Sequence, residues 1–226
     1  LNQAGAYGGN GASNGTLVFF MAGGSDGSPS RMADMDYITI ATLGNSTNAG
    51  DIQDGLSLLA SASGDSRGAV FGGQTGDSGS GYAGYATAQT SFITYHTSNA
   101  AENFGDLTTK SFYNSATASQ TRWVQKAGGD YTSAGGHTHL QSLEFYTVAT
   151  ESTADSFGDI SASGRYTSAM SDGTRGEWWG GANNTGTNID NIWYVAMATE
   201  GDGTDAGNMH DGTGYGIAAG LSGAAS

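Results

Sequence analysis

The residues of this 226-residue chain that could do chemistry are few: four histidines, an acidic run and a set of loop aromatics. His137-Thr138-His139 puts two imidazoles on one side of an extended segment, the spacing of a two-His metal clamp. No carboxylate motif accompanies the pair, so a polar surface turn is its expected role. His96 falls inside an apolar run and is expected to be half-buried. Glu200-Gly201-Asp202-Gly203-Thr204-Asp205 offers oxygen ligands as a calcium loop does, but lacks the final Glu and the flanking helices of an EF-hand. No Gly-x-Ser-x-Gly elbow leads from a strand into a helix. No carboxylate pair for glycoside cleavage stands out. The chain has no Cys, which removes disulfides, thiol chemistry and thiolate metal sites. No catalytic residue, metal site or cofactor is therefore assigned. What remains is aromatic: Tyr82 and Tyr85 in the longest variable loop, Tyr131 in the next, and Trp179, whose neighbour Trp178 must face the other way in a strand. With His137 and His139 these form the candidate ligand-binding set, since exposed aromatics stack on sugar rings and anchor interfaces.

The elements that would position them are read from composition and repetition. Gly is 39 of 226 residues, Pro is 1, and Lys+Arg is 7 against Asp+Glu 21, a formal net charge of -14. Such a surface cannot neutralise phosphates, which argues against nucleic acid. No run approaches ~18 apolar residues, so no membrane-inserting helix is expected. Aromatics at 10% argue for a folded chain rather than a disordered one. The chain begins at Leu1 without Met, as a processed product or a piece of a longer one would.

Four copies of one unit run along the chain. Gly-Gly pairs at Gly23-Gly24, Gly72-Gly73, Gly128-Gly129 and Gly180-Gly181 close short apolar runs. A second run follows each, starting at Tyr37, Phe92, Phe145 and Tyr194. At constant offsets come Thr42, Thr97, Thr150 and Thr199, then Asp51, Asp106, Asp159 and Asn208, each after a Gly. Arg67, Arg122 and Arg175 follow at a further constant offset. Recurrence in every unit marks these Asp and Arg residues as structural. The Asp side chains are expected to hold turns, and the Arg side chains to pair with them or with carbonyls at sheet edges. Tyr37, Thr39 and Ala41 alternate with Ile38, Ile40 and Thr42, which is a strand pattern. The segment after each Gly-Gly varies in length and reads as a surface loop.

An all-β repeat of about 52 residues, unable to cover both faces of its own sheet, is the pattern of a propeller blade. The expected fold is thus all-β and β-propeller-like, with four kelch-like blades in one domain. The units run approximately 15–66, 67–121, 122–174 and 175–226, with 1–14 as an extra terminal strand. In a closed ring that surplus strand would add to a neighbouring subunit, which makes a homo-oligomer the expectation.

The Gly-Gly pairs, the third-strand aromatics and Phe104 or Phe157 before Gly-Asp resemble a kelch-type blade. A second resemblance is to Gly-rich repeats of tailed-bacteriophage structural proteins. It rests on Arg67-Gly68-Ala69-Val70-Phe71-Gly72-Gly73, on Tyr37 to Asn45, and on Phe104-Gly105-Asp106-Leu107. It implies a non-enzymatic virion or extracellular structural protein, a phage appendage or surface propeller binding a host glycan or other virion or self subunits. Two alternatives stand beside it: a self-assembling filament subunit without a ligand, and a propeller-type carbohydrate-active enzyme, which the lack of a carboxylate cluster ranks last.

Overall fold

The computed structural model describes residues 9–24, 31–75, 86–97, 100–131, 137–161, 164–183 and 185–210, and they contain no helix. Four antiparallel sheets follow one another along the chain. The first holds β1 (Asn10–Ser13), β2 (Leu17–Gly24), β3 (Arg31–Thr39) and β4 (Thr47–Ser57). The second holds β5 (Ala60–Ser63), β6 (Arg67–Phe71), β8 (Thr87–Thr94) and β9 (Glu102–Ser111), and the two-residue β7 (Gln74–Thr75) crosses to the edge of the first sheet beside β4. The third holds β10 (Ser115–Ala118), β11 (Arg122–Lys126), β14 (Ser142–Thr147) and β15 (Asp155–Asp159). The fourth holds β16 (Ser168–Ser171), β17 (Arg175–Trp179), β18 (Asn191–Ala196) and β19 (Thr204–Asn208). A separate hairpin pairs β12 (Gly129–Tyr131) with β13 (His137–His139).

Within each sheet the strands pair in chain order, so each is a meander whose first strand is at one edge. Those first strands, β1, β5, β10 and β16, lie side by side. They read NGAS, ASAS, SATA and SAMS. Small side chains are what a crowded axis permits, and the sheets radiate from it as propeller blades do. The all-β, propeller-like expectation is met.

Three cores fill the spaces between successive sheets. Leu17, Phe19, Met21 and Met35 of the first sheet meet Val70, Ile93 and Tyr95 of the second. Phe71, Phe92 and Phe104 of the second meet Trp123, Tyr146 and Val148 of the third. Val124, Phe145 and Phe157 of the third meet Trp178, Trp193 and Met197 of the fourth. Trp123 is wholly buried, edge-on to Phe71 and tilted against Phe104. Trp123→Ala is expected to cost about 3–5 kcal/mol in a denaturant titration.

The conserved spacing of the repeats has a structural cause at two places. Asp51, Asp106 and Asp159 work through the main chain rather than the carboxylate. Their carbonyls accept hydrogen bonds from Ala101, Ala154 and Gly203 N–H of the next sheet, at 2.8–2.9 Å. The Gly before Asp lets that neighbouring turn approach: a Cβ on Gly105 or Gly158 would collide with the carbonyl of Ser152 or Gly201. The arginines also reach forward. Arg67 donates to Val148 O at 3.2 Å and to Glu151 at 3.1 Å, with its guanidinium 4.6 Å over Phe92. Arg122 repeats this with Met197 O at 3.5 Å, Glu200 at 2.9 Å and Phe145 at 4.6 Å. Sheet-edge carbonyls were expected as partners; the carboxylates used are Glu151 and Glu200, not the repeated aspartates.

Candidate functional site

The turns joining the first and second strand of each sheet all fall at one end of the axis, since the first strands lie together and run alike. Each turn needs an acceptor for its own N–H groups. Asn14 Oδ1 takes them from Thr16 and Leu17 at 3.0 and 2.8 Å. Ser119 Oγ takes them from Thr121 and Arg122, and Asp172 Oδ1 from Thr174 and Arg175 at 2.8 and 2.7 Å. The turns of the second, third and fourth sheets open onto a concavity of about 430 Å³ lined by Ser63, Asp65, Gln120, Thr121, Asp172 and Thr174, with Met197 on one wall. That volume lies in the range of small-ligand sites.

Its walls set polar groups in a lining that is mostly apolar, with Ala118, Met197 and Ala198 among it. Asp65 and Gln120 sit exposed at the tips of their turns. No described group holds the Asp65 carboxylate, so it is free to meet a ligand. Asp172 is different: the N–H groups of Arg175 and Thr174 hold its carboxyl below the usual carboxylate range, so it stays ionised. Hydroxyls, an amide and two carboxylates around one opening suit a ligand rich in hydroxyl groups. No described cluster of His, Asp and Glu would hold a metal ion. The sequence reading missed Asp65 and Asp172. For Asp172 the available signal was position: three residues before Leu17, Arg67, Arg122 and Arg175 stand Asn14, Gly64, Ser119 and Asp172.

The opposite end of the axis carries the linkers between sheets. Leu58, Tyr113 and Tyr166, two residues before β5, β10 and β16, all adopt left-handed backbone, with φ of 57°, 56° and 63°. Tyr113 N–H donates to Leu58 O at 2.8 Å. The rings of Tyr113 and Tyr166 lie 4.2 Å apart, and Arg165 covers both at 5.8 and 5.0 Å. A tyrosine in this conformation is costly, and these rings offset it by packing tilted against one another.

The described members of the ligand set expected from sequence fall on the β12–β13 hairpin and on β17. Tyr82 and Tyr85 lie outside the described residues. Tyr131 and His137 are paired across the β12–β13 hairpin, with Gly129 opposite a buried His139. Trp179 stands half-buried on the outer face of the fourth sheet, behind a fully buried Trp178. His96 is exposed in the turn after β8, not half-buried in the strand: the strand ends at Thr94, and His96 turns with φ 71° to contact Asn14 at 3.2 Å.

No family model matches the chain, and no curated protein matches it. Among solved structures it is similar to that of YjhT, at 11% identity and a TM-score of 0.69. The match covers 91% of this chain and 66% of that one, so the chain spans a little under two thirds of its neighbour's length. The likeness supports the fold. The first functional expectation, a non-enzymatic virion or extracellular structural protein, is corrected: the likeness to this solved structure lends the phage reading no support and favours the alternative ranked last on the sequence, which is taken up as a proposal.

Proposed function

We propose that the chain is part of a carbohydrate-active β-propeller whose glycan enters the concavity at the turn end of the axis. The observation that carries this reading is the pair Asp65 and Asp172 lining one opening of about 430 Å³. Glycoside cleavage needs one carboxyl that gives a proton and one that stays ionised. Asp172, tied to two backbone N–H groups, suits the ionised role, and Asp65 is the second carboxyl lining the same opening. Ser63, Gln120, Thr121 and Thr174 supply hydrogen-bond partners for sugar hydroxyls. The acidic, lysine-poor surface suits action outside the cell, where glycans are displayed.

The test is hydrolysis of a panel of chromogenic glycosides, run beside a glycan array. Asp65→Asn and Asp172→Asn are each expected to lower kcat/KM by about 10²–10⁴-fold, the usual weight of acid–base assistance. Both should fold, because Asn14 already performs the turn-holding task of Asp172 in the first sheet. Unchanged turnover in both variants, or a wild type that neither binds nor cleaves any glycan, removes the proposal.

A further inference from the structure

The two outer faces of the four-sheet array are unlike its inner ones. In β6 and β11 the four residues after the Arg are all buried, on both sides of the strand. In β2 and β17 burial alternates instead. On the first sheet the uncovered side shows Phe20 at 38% and Ile40 at 52% exposure. The residues equivalent to Ile40 are Tyr95, Val148 and Met197, each at most 5% exposed against the preceding sheet. On the fourth sheet the uncovered side shows half-buried Trp179, Ile192 and Tyr194. Four sheets account for 66% of the neighbour's length, which leaves room for about two more of the same size.

What covers the fourth sheet is written in the arginine series. Arg67 and Arg122 each stack on the third-strand aromatic of their own sheet and clamp a carbonyl and a Glu of the next. Arg175 is already in the same pose, 4.9 Å over Tyr194. Yet it has no next sheet among the described residues. Both glutamates stand six residues beyond a third-strand aromatic, Glu151 after Phe145 and Glu200 after Tyr194. In the second sheet that place is Ser98, and the first sheet behind it has Leu17 where the others have Arg. Arg and Glu therefore occur as matched pairs across an interface or not at all.

We infer that the open face of the fourth sheet is a docking face for a further blade of this same repeat, one bearing a carboxylate six residues beyond its third-strand aromatic, which Arg175 clamps. The first sheet of a second copy is not that blade. Its residue at the acid position is Leu43, fully exposed, so it matches the Trp179–Tyr194 surface in apolar character but leaves the guanidinium unpaired. This inference concerns assembly and is independent of the glycan reading.

Leu43→Glu converts the first sheet of a second copy into such a blade, at a position where full exposure protects the fold. Sedimentation velocity is run on the wild type, L43E and L43E/R175M, with tryptophan emission followed in parallel. Trp123, Trp178 and Trp193 are wholly buried, so Trp179 is the ring whose emission can move blue on docking. L43E is expected to self-associate at about tenfold lower concentration than the wild type, with a blue shift. Both effects should vanish in roughly 0.5 M salt and in L43E/R175M. Wild type and L43E associating alike, insensitive to R175M, would show that an unmodified second copy is the occupant and overturn the proposal. L43E remaining monomeric with unmoved emission would also overturn it.

Discussion

Raising the pH from about 7 to about 9.5 is expected to stabilise this protein against urea by roughly 2–3 kcal/mol, and Lys126→Met to abolish most of that rise. Lys126 is wholly buried between the third and fourth sheets. Its ammonium donates to the carbonyls of Ala127 at 2.8 Å, Leu140 at 3.2 Å and Gly164. Burial lowers its pKa to about 7, against 10.5 for an ordinary lysine. Between those values the unfolded chain holds a proton that the folded chain has released. The unfolded state then binds more protons, and stability climbs with pH by at most about 1.4 kcal/mol per unit. The three carbonyls favour the ammonium and keep the slope below that limit. Below about pH 7 both states are protonated and the slope is gone. Above about pH 10 the sign reverses. Burial pushes the phenols of Tyr95 and Tyr146 up, so the folded state keeps protons that the unfolded one loses. Parallel urea midpoints for wild type and K126M across the window would refute the assignment.

Much of the fold was legible because its signals are local or periodic. The alternation from Tyr37 to Thr42 marked a strand, and β3 indeed runs through Thr39. The Gly-Asp and Arg spacings marked a repeat, but the sheets are offset from the units 15–66, 67–121 and 122–174: β5, β10 and β16 end those units yet open the next sheet, and β1 is the first strand of the first sheet rather than a surplus one. What those residues touch was not legible. Asp106 looks in sequence like a turn-holding carboxylate, but its contact is a main-chain carbonyl to Ala154, 48 positions along the chain. Arg67 meets Glu151 across 84 positions. Contacts between sheets depend on how sheets radiate, and no single-sheet pattern encodes that. The turn-end concavity was hidden for the same reason. Asp65 and Asp172 are 107 residues apart and share no motif. They meet because equivalent turns of different sheets gather at one end of an axis. The aromatic search favoured long loops instead and led to Tyr82 and Tyr85, outside the described residues.

The glycine series separates sheets that have a following neighbour from the one that has none among the described residues, and it predicts unequal costs for one substitution. Gly105 and Gly207 occupy the same repeat position, before Asp106 and Asn208, with φ of 135° and 112°. Placing Ala at either forces a side-chain residue into backbone conformation that only glycine adopts freely, at about 1–3 kcal/mol. At Gly207 that is the whole penalty, because no described residue lies within 4 Å of the added Cβ. At Gly105 the Cβ also strikes the carbonyl and carbon of Ser152 in the next sheet. The struck atoms are main chain, in the turn that Arg67 grips through Glu151 and that the Ala154 N–H to Asp106 O bond fixes. They cannot rotate aside as a side chain would. Overpacking of this kind adds about 1–3 kcal/mol or more. Gly105→Ala is therefore expected to lose about 3–6 kcal/mol and Gly207→Ala about 1–3 kcal/mol, measured by urea titration of each against the parent. Equal losses would mean that the second and third sheets do not press together at this glycine, and the account of the repeated Gly-Asp as an inter-sheet contact would fall with it.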